Sequence, residues 1–374
     1  MSFLQDMLAK GQSLLKFSVP VNSVVGIDIG TSAIKIVQVK RDGGKIKLET
    51  YGEIGLGTYA SDKSGKVVTL APDVIGKAVA DLLREANVTT KNAVLSIQSQ
   101  ATLIFLLELP EVKESELATL IPNEARKYIP VPLTEVSLDW YVVPKQETYQ
   151  DEGSSTDPKL MRKKNEVVVV AVRNETLAQY REISDKSGIV SRGNEIEIFS
   201  AIRSVFHREI TPTMVIDYGA GTTKVSIVEY GVVRAYHVIN RGSAFTSESL
   251  ARTMGIDFDK AEEIKKTVGL VGGANDAKTA EAITTDTAYI ISEIQTILLG
   301  YERQSHKAVT KIILCGGGAM MPGFLEKVTE TFGVETIYGD PFDKAEAPQF
   351  MEQVLKKAGP EFTVAMGLAL KDFV

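Results

Sequence analysis

Two aspartates, Asp28 and Asp217, occupy the same place in two copies of one short pattern. IDIGTSAIKI at residues 27–36 and IDYGAGTTKV at residues 216–225 align without a gap, so that Gly30 falls on Gly219 and Lys35 on Lys224. Each carboxylate is embedded in an apolar stretch, where an ionised group is costly unless something pairs with it. The residues that follow can supply such chemistry. Gly30, Gly219 and Gly221 let backbone N–H groups close on an anion, and the hydroxyls of Thr31, Ser32, Thr222 and Thr223 add donors. An Asp at a strand end beside such a turn can hold a hydrated Mg2+ or orient a water. Two such turns facing each other would clamp a triphosphate from both sides, with the metal and its waters compensating Asp28. One copy alone is explained as readily by an ordinary solvated hairpin turn; a second, gapless copy makes coincidence a poorer account.

A third glycine cluster lies in IILCGGGAMMPG at residues 312–323, where an apolar strand runs into Gly316, Gly317 and Gly318 and a helix begins beyond Pro322. Such a junction admits the flat face of a base, or a sugar-phosphate, close to the backbone.

These residues need elements to position them. An apolar run precedes and follows each Asp-Gly turn, so each copy is expected to be a strand–turn–strand hairpin. The 374 residues, 44% hydrophobic and 24% charged, suffice for about two or three domains with their own cores. A net charge of −6 argues against a general nucleic-acid binder, which would carry a basic stripe. Cys315 alone cannot build a disulfide framework or a thiolate metal site, and a reducing cytoplasmic setting fits. No apolar run reaches the roughly 18 residues that a spanning helix needs. The opening MSFLQDMLAKGQSLLKF reads as a short amphipathic helix with Leu4, Met7, Leu8 and Leu15 on one face.

The order and character of the three glycine stretches resemble the actin superfamily, where they are the phosphate 1, phosphate 2 and adenosine motifs. The resemblance implies an α/β, actin-like two-lobed ATPase fold that binds ATP with Mg2+, the metal lying at Asp28 and Asp217. It also gives roles to further residues. The first connecting helix of that family carries an acid, which NEIEIFSAIRSVF offers as Glu197, with Glu195 close enough to leave the register open. The family's adenosine-grasping helix is matched by AEEIK, hence Glu262 and Lys265, although such residues abound on solvated helix faces. The last helix, FTVAMGLALKDF, has the small residues Ala365, Gly367 and Ala369 expected of the second connector.

Between the phosphate motifs, strand, helix, strand, strand and helix make a small α+β insertion in the first lobe, where FtsA and PilM carry subdomain IC. Within it, Glu124, Ala125, Tyr128, Ile129, Pro130, Pro132, Glu135, Val136, Asp139 and Trp140 closely resemble the PilM family hallmark. The resemblance implies a chain divided into residues 1–92 (N-terminal helix and first part of lobe I), 93–173 (the insertion), 174–206 (return of lobe I), 207–350 (lobe II) and 351–374 (the connector back to lobe I).

The PilM resemblance implies a cytoplasmic scaffold of the type IV pilus machine, peripheral to the inner membrane. It would dock the cytoplasmic N-terminal peptide of a PilN-like membrane protein between subdomains IA and IC. Contacts with the pilus motor and other assembly proteins, and self-association, stay open, as does weak ATPase activity. None of His207, His237 and His306 lies in a phosphate motif, so Asp28, Glu197 and Asp217 would carry any slow hydrolysis by placing metal and water. Two alternatives share the fold: a sugar or other small-molecule kinase, and an FtsA-like filament protein. FtsA chains end in a basic amphipathic tail that the terminal KDFV does not offer.

Overall fold

The computed structural model describes residues 22–60, 65–110, 112–143, 164–207, 209–271 and 277–373. The amphipathic helix expected at residues 1–17, and most of the polar loop after residue 143, lie outside them. The chain divides into two compact units, one containing Gln100–Tyr180 and the other Ser18–Ser99 with Arg181–Val374.

In the larger unit, β1 (Ser23–Ile29) is apolar on both faces and central, as SVVGIDI predicts. β2 (Ala33–Asp42) pairs antiparallel with it, setting Lys35 opposite Asp28. β3 (Lys45–Gly55) follows through Gly43-Gly44, both at positive φ, the two-residue turn that glycine permits. α1 (Pro72–Glu85) opens on proline, with Asp73 in its first turn and Arg84 in its last. β4 (Asn92–Ile97) then lies parallel to β1.

The smaller unit contains β5 (Thr102–Pro110), α2 (Glu114–Ala125), β6 (Val136–Val142) and β7 (Lys164–Arg173). Its antiparallel sheet has the order β5-β7-β6, and the run VVVV of β7 is the central strand. Leu117, Ile121 and Ala125 of α2 pack on Leu107, Leu109, Val167 and Val169. Trp140 is half-buried against this core. Tyr128 is 53% exposed and stacks on Phe105 with ring centroids 4.9 Å apart.

Beyond α3 (Asn174–Ser187), β8 (Val190–Ile196) pairs with β4 and completes the order β3-β2-β1-β4-β8. The strand AVLSI, which the sequence reading counts with the insertion, is therefore an inner strand of the larger unit's sheet. α4 (Glu197–Val205) follows at once and is buried along its whole length.

The second half repeats the plan. It runs β9 (Thr213–Tyr218), β10 (Thr223–Glu229), β11 (Val232–Ile239), α5 (Ser243–Met254), α6 (Phe258–Thr267), α7 (Ala277–Ser305), β12 (Lys311–Cys315), α8 (Phe324–Phe332) and β13 (Glu335–Tyr338). The order β11-β10-β9-β12-β13 is third, second, first, fourth, fifth, as in the first sheet. The repeated motif in the sequence is thus the visible part of a repeated sheet.

After α9 (Glu352–Ala358), the apolar α10 (Thr363–Leu370) lies buried against β1 and α4. Two glycines make that approach: a Cβ on Gly26 would stand 2.0 Å from the Ala365 carbonyl oxygen, and one on Gly367 1.8 Å from that of Ser200. No other residue fits at either position.

Candidate functional site

The two Asp-Gly turns are built alike. Gly30 N–H donates to the Ala33 carbonyl at 3.0 Å, and Gly219 N–H to the Thr222 carbonyl at 3.0 Å, the corresponding bond in the second copy. The turns also meet, since a Cβ on Gly221 would lie 2.8 Å from Thr31 Oγ1.

Between them lies a network of charges. Lys224, opposite Asp217 in the β9–β10 register, has Nζ 3.1 Å from Asp217 Oδ2 and 2.9 Å from Glu197 Oε2. The ammonium thus ties the second hairpin to the first turn of α4. The other oxygen of Glu197 accepts the Ser99 N–H at 2.7 Å. Burial opposes the charge on Lys224, but the carboxylates of Asp217 and Glu197 outweigh it and hold its pKa above the ordinary lysine range.

Asp28 accepts from Ser96 Oγ at 2.9 Å, and that hydroxyl accepts the Ile29 N–H at 2.9 Å. Burial, helped by the negative charge of Glu197, pushes Asp28 up to about 6, while Lys35, Lys224 and the Ser96 hydroxyl pull it back. Compensation from the protein itself is therefore incomplete. Lys35, against the effect of burial, is held above its ordinary range by Glu53, Glu361, Asp28 and Asp217; its Nζ is 3.9 Å from Glu53 Oε1.

The register that the sequence leaves open between Glu195 and Glu197 is resolved by their partners. Glu195 faces Arg203, with Oε2 2.5 Å from Nη1 and Oε1 2.6 Å from Nη2, and also accepts from Ser200 Oγ. Glu197 is the acid at the two hairpins.

Other expected residues have more specific placements. Thr223 Oγ1 donates to the Arg241 carbonyl at 2.8 Å, so this hydroxyl anchors the end of β11. In the third glycine cluster, Gly316 has φ +84°, and a Cβ there would lie 2.5 Å from Asp217 Oδ1. A Cβ on Gly318 would lie 2.7 Å from the Tyr218 carbonyl oxygen. Those two glycines are demanded by β9 packing on β12. Gly317 is exposed, and the nearest group to its Cβ would be the Glu361 side chain, at an ordinary contact distance of 3.5 Å.

On α6, Glu262 accepts from Ser247 Oγ at 2.5 Å and pairs with Lys265 at 2.7 Å. Lys265 is buried and donates to the Ser243 carbonyl at 2.9 Å, which makes it a brace between α5 and α6. Glu262 also borders Gly65, whose Cβ would be 3.4 Å from its carboxyl carbon.

Four contributors escaped the sequence reading: Ser96, Ser99, Glu53 and Glu361. Polar residues closing a buried strand, SIQS after AVL, were the available signal for the two serines. Glu53 and Glu361 arrive by sheet register and chain return, which no local pattern announces.

The family profile described as type IV pilus assembly protein PilM matches residues 26–373. Among solved structures, the PilM-PilN type IV pilus biogenesis complex contains a chain 24% identical to this one, with a TM-score of 0.79 over 95% of this chain and 99% of that one. The ethanolamine utilization protein EutJ of Carboxydothermus hydrogenoformans is 15% identical, with a TM-score of 0.54 over 94% and 90%. The cell division protein FtsA of Neisseria meningitidis serogroup B is 25% identical over 383 residues, covering 91% of this chain and 88% of that protein. The fold is the actin-like one of these neighbours. Among the described residues, no helix is long and apolar enough to cross a membrane.

Proposed function

This chain belongs to the type IV pilus assembly protein PilM family, and on that premise we propose that it is a nucleotide-bound scaffold whose cleft holds Mg2+-ATP between the two Asp-Gly turns. The observation that carries this reading is Asp28: a half-buried carboxylate, pushed up to about 6, that accepts one hydroxyl hydrogen bond and, among the described residues, makes no ion pair within 4 Å, Lys35 and Lys224 offsetting its burial only in part. A cation at that point restores the balance. Among the described residues no three His, Cys, Asp or Glu side chains gather to hold a metal alone. Mg2+ keeps several waters and takes one or two carboxylates together with phosphate oxygens. Asp28 and Asp217 would present those carboxylates, and the turn N–H groups of residues 31–32 and 220–222 would offer donors to phosphate, those of Gly30 and Gly219 being taken by the turn bonds themselves. Bound Mg2+ would neutralise charge on the phosphates. Glu197 would orient a water, although both of its oxygens already have partners in Lys224 and the Ser99 N–H. Tight binding with slow turnover follows more naturally than rapid hydrolysis.

Gly317→Val tests the placement of the adenosine. The position is exposed and carries no positive φ, so valine leaves the fold intact. ATP affinity measured by calorimetry is expected to fall at least tenfold. Undiminished affinity with an unchanged melting temperature would make the glycine cluster a structural turn only.

The partner would be the cytoplasmic N-terminal peptide of a PilN-like single-span membrane protein. In the smaller unit, the exposed Tyr128, stacked on Phe105, is an aromatic anchor suited to an extended peptide. Titrating the full chain with this labelled peptide, with and without Mg2+-ATP, is expected to give saturable binding that nucleotide strengthens. Absence of binding in both states would overturn the docking role.

A further inference from the structure

The 29-residue helix α7 has one face in the core, through Ile283, Ile290, Ile294 and Leu298. Its opposite face is unusual for a solvated helix. From Thr284 to Gly300, no exposed position carries a charge; Asp286 and Glu293, the charged residues in this span, are half-buried. Thr285, Ala288, Ser292, Gln295 and Leu299 are exposed at alternating spacings of three and four, the period of a helix–helix seam.

The hydroxyls on this face are already satisfied. Thr284 and Thr285 donate to the Ala280 and Glu281 carbonyls at 2.7 and 3.0 Å, Thr296 to that of Ser292 at 3.0 Å, and Ser292 to that of Tyr289 at 2.7 Å. With donors turned inward, the threonines offer methyl groups, and covering the face costs little in lost hydration. Tyr289, 44% exposed, is held in place by the Arg241 guanidinium, 4.4 Å from its ring centroid, which also stacks at 3.8 Å on Phe245.

The ends of the face identify the occupant. Among the described residues the first exposed charges beyond this span are Glu281 on one side and Arg303 on the other, each eleven residues from Ser292. That pattern is its own complement when reversed. We propose that this face of α7 binds the same face of a second copy of the chain, antiparallel, about a two-fold axis at Ser292. Ala288 then opposes Thr296 of the partner subunit, Thr285 opposes Leu299 of the partner subunit, and Glu281 pairs with Arg303 of the partner subunit at both ends. Small residues flanking the axis allow close backbone approach, and the seam spans about 33 Å. The proposal does not depend on the nucleotide reading.

Sedimentation equilibrium of the full chain, from 1 to about 200 μM in moderate salt, should show a monomer–dimer equilibrium. Ser292→Arg sets two like charges against each other at the axis and should weaken self-association at least tenfold, with the melting temperature unchanged because the position is exposed. Glu281→Arg and Arg303→Glu should each weaken it several-fold, and the double swap should restore it, since only an antiparallel seam re-pairs both ends. A chain that stays monomeric throughout, or a dimer indifferent to Ser292→Arg, overturns the interface. Loss in both single swaps without recovery in the double overturns the antiparallel register.

Discussion

Asp28→Asn is expected to make the ligand-free protein more stable at pH 7.5 and to abolish its stabilisation by Mg2+-ATP. Asparagine keeps an acceptor for the Ser96 hydroxyl but carries no charge beside Glu197. The folded pKa of Asp28, about 6, lies above its ordinary value of 3.8. Folded protein therefore binds more protons than unfolded protein between those values, and stability falls as pH rises through that window. Above about pH 6 the full penalty applies, on the order of 2–3 kcal/mol for a shift of this size. Asparagine has its own burial cost, so a gain of about 1 kcal/mol and a rise of a few degrees in melting temperature are the expected net effect. The wild-type-minus-variant difference in stability should slope between about pH 4 and 6 and be flat above. Mg2+-ATP should raise the wild-type melting temperature by several degrees and leave the variant unmoved. A variant that is no more stable at pH 7.5, yet is still stabilised by Mg2+-ATP, would remove Asp28 from the metal site.

Arg203→Met should destabilise by about 3–5 kcal/mol, because it strands Glu195 in the interior. The two make a bidentate pair, and Arg203 also donates to the Gly367 carbonyl at 2.9 Å, so the pair links β8, α4 and α10. Against the effect of burial, the guanidinium holds Glu195 down at about 2. Its stabilisation is therefore present above the ordinary value of 4.5 and is lost as pH falls through about 2. Adding Glu195→Gln should recover part of the loss, the signature of a coupled pair. The double variant should also keep ATP affinity, whereas Glu197→Gln should reduce it at modest cost in stability. Urea unfolding from pH 2 to 7 together with nucleotide titration reads both quantities. Reduced ATP affinity in the Glu195/Arg203 double variant, with Glu197→Gln unaffected, would reverse the assignment of the two glutamates.

The parts legible in the sequence were those fixed by local chemistry. The hairpins around Asp28 and Asp217 were legible because strand, turn and strand fall within ten residues, and the turn bonds prove identical in both. The packing helix with Ala365, Gly367 and Ala369 was legible because close approach restricts side-chain size. What could not be read was pairing at long range. Glu195 and Glu197 are two residues apart and equally acidic; only the sheet's end decides which meets Arg203 and which meets Lys224. The strand AVLSI joins β1 because of a parallel register that no neighbouring residue encodes. Gly316 and Gly318 fit the expected adenosine motif, but β9 alone accounts for both, leaving Gly317 to carry the nucleotide assignment.

The seating of α10 on β1 through Gly26 and Gly367 also sets an order of events at the ribosome. β1 emerges more than three hundred residues before its covering helix. At about 5–20 residues per second, the first sheet waits on the order of tens of seconds for that cover. Its repeat, β9 to β13, is complete before α10 is made, so the half synthesised second is the half that can close first. Nascent chains halted just short of residue 363 would present the apolar face of β1 to chaperones.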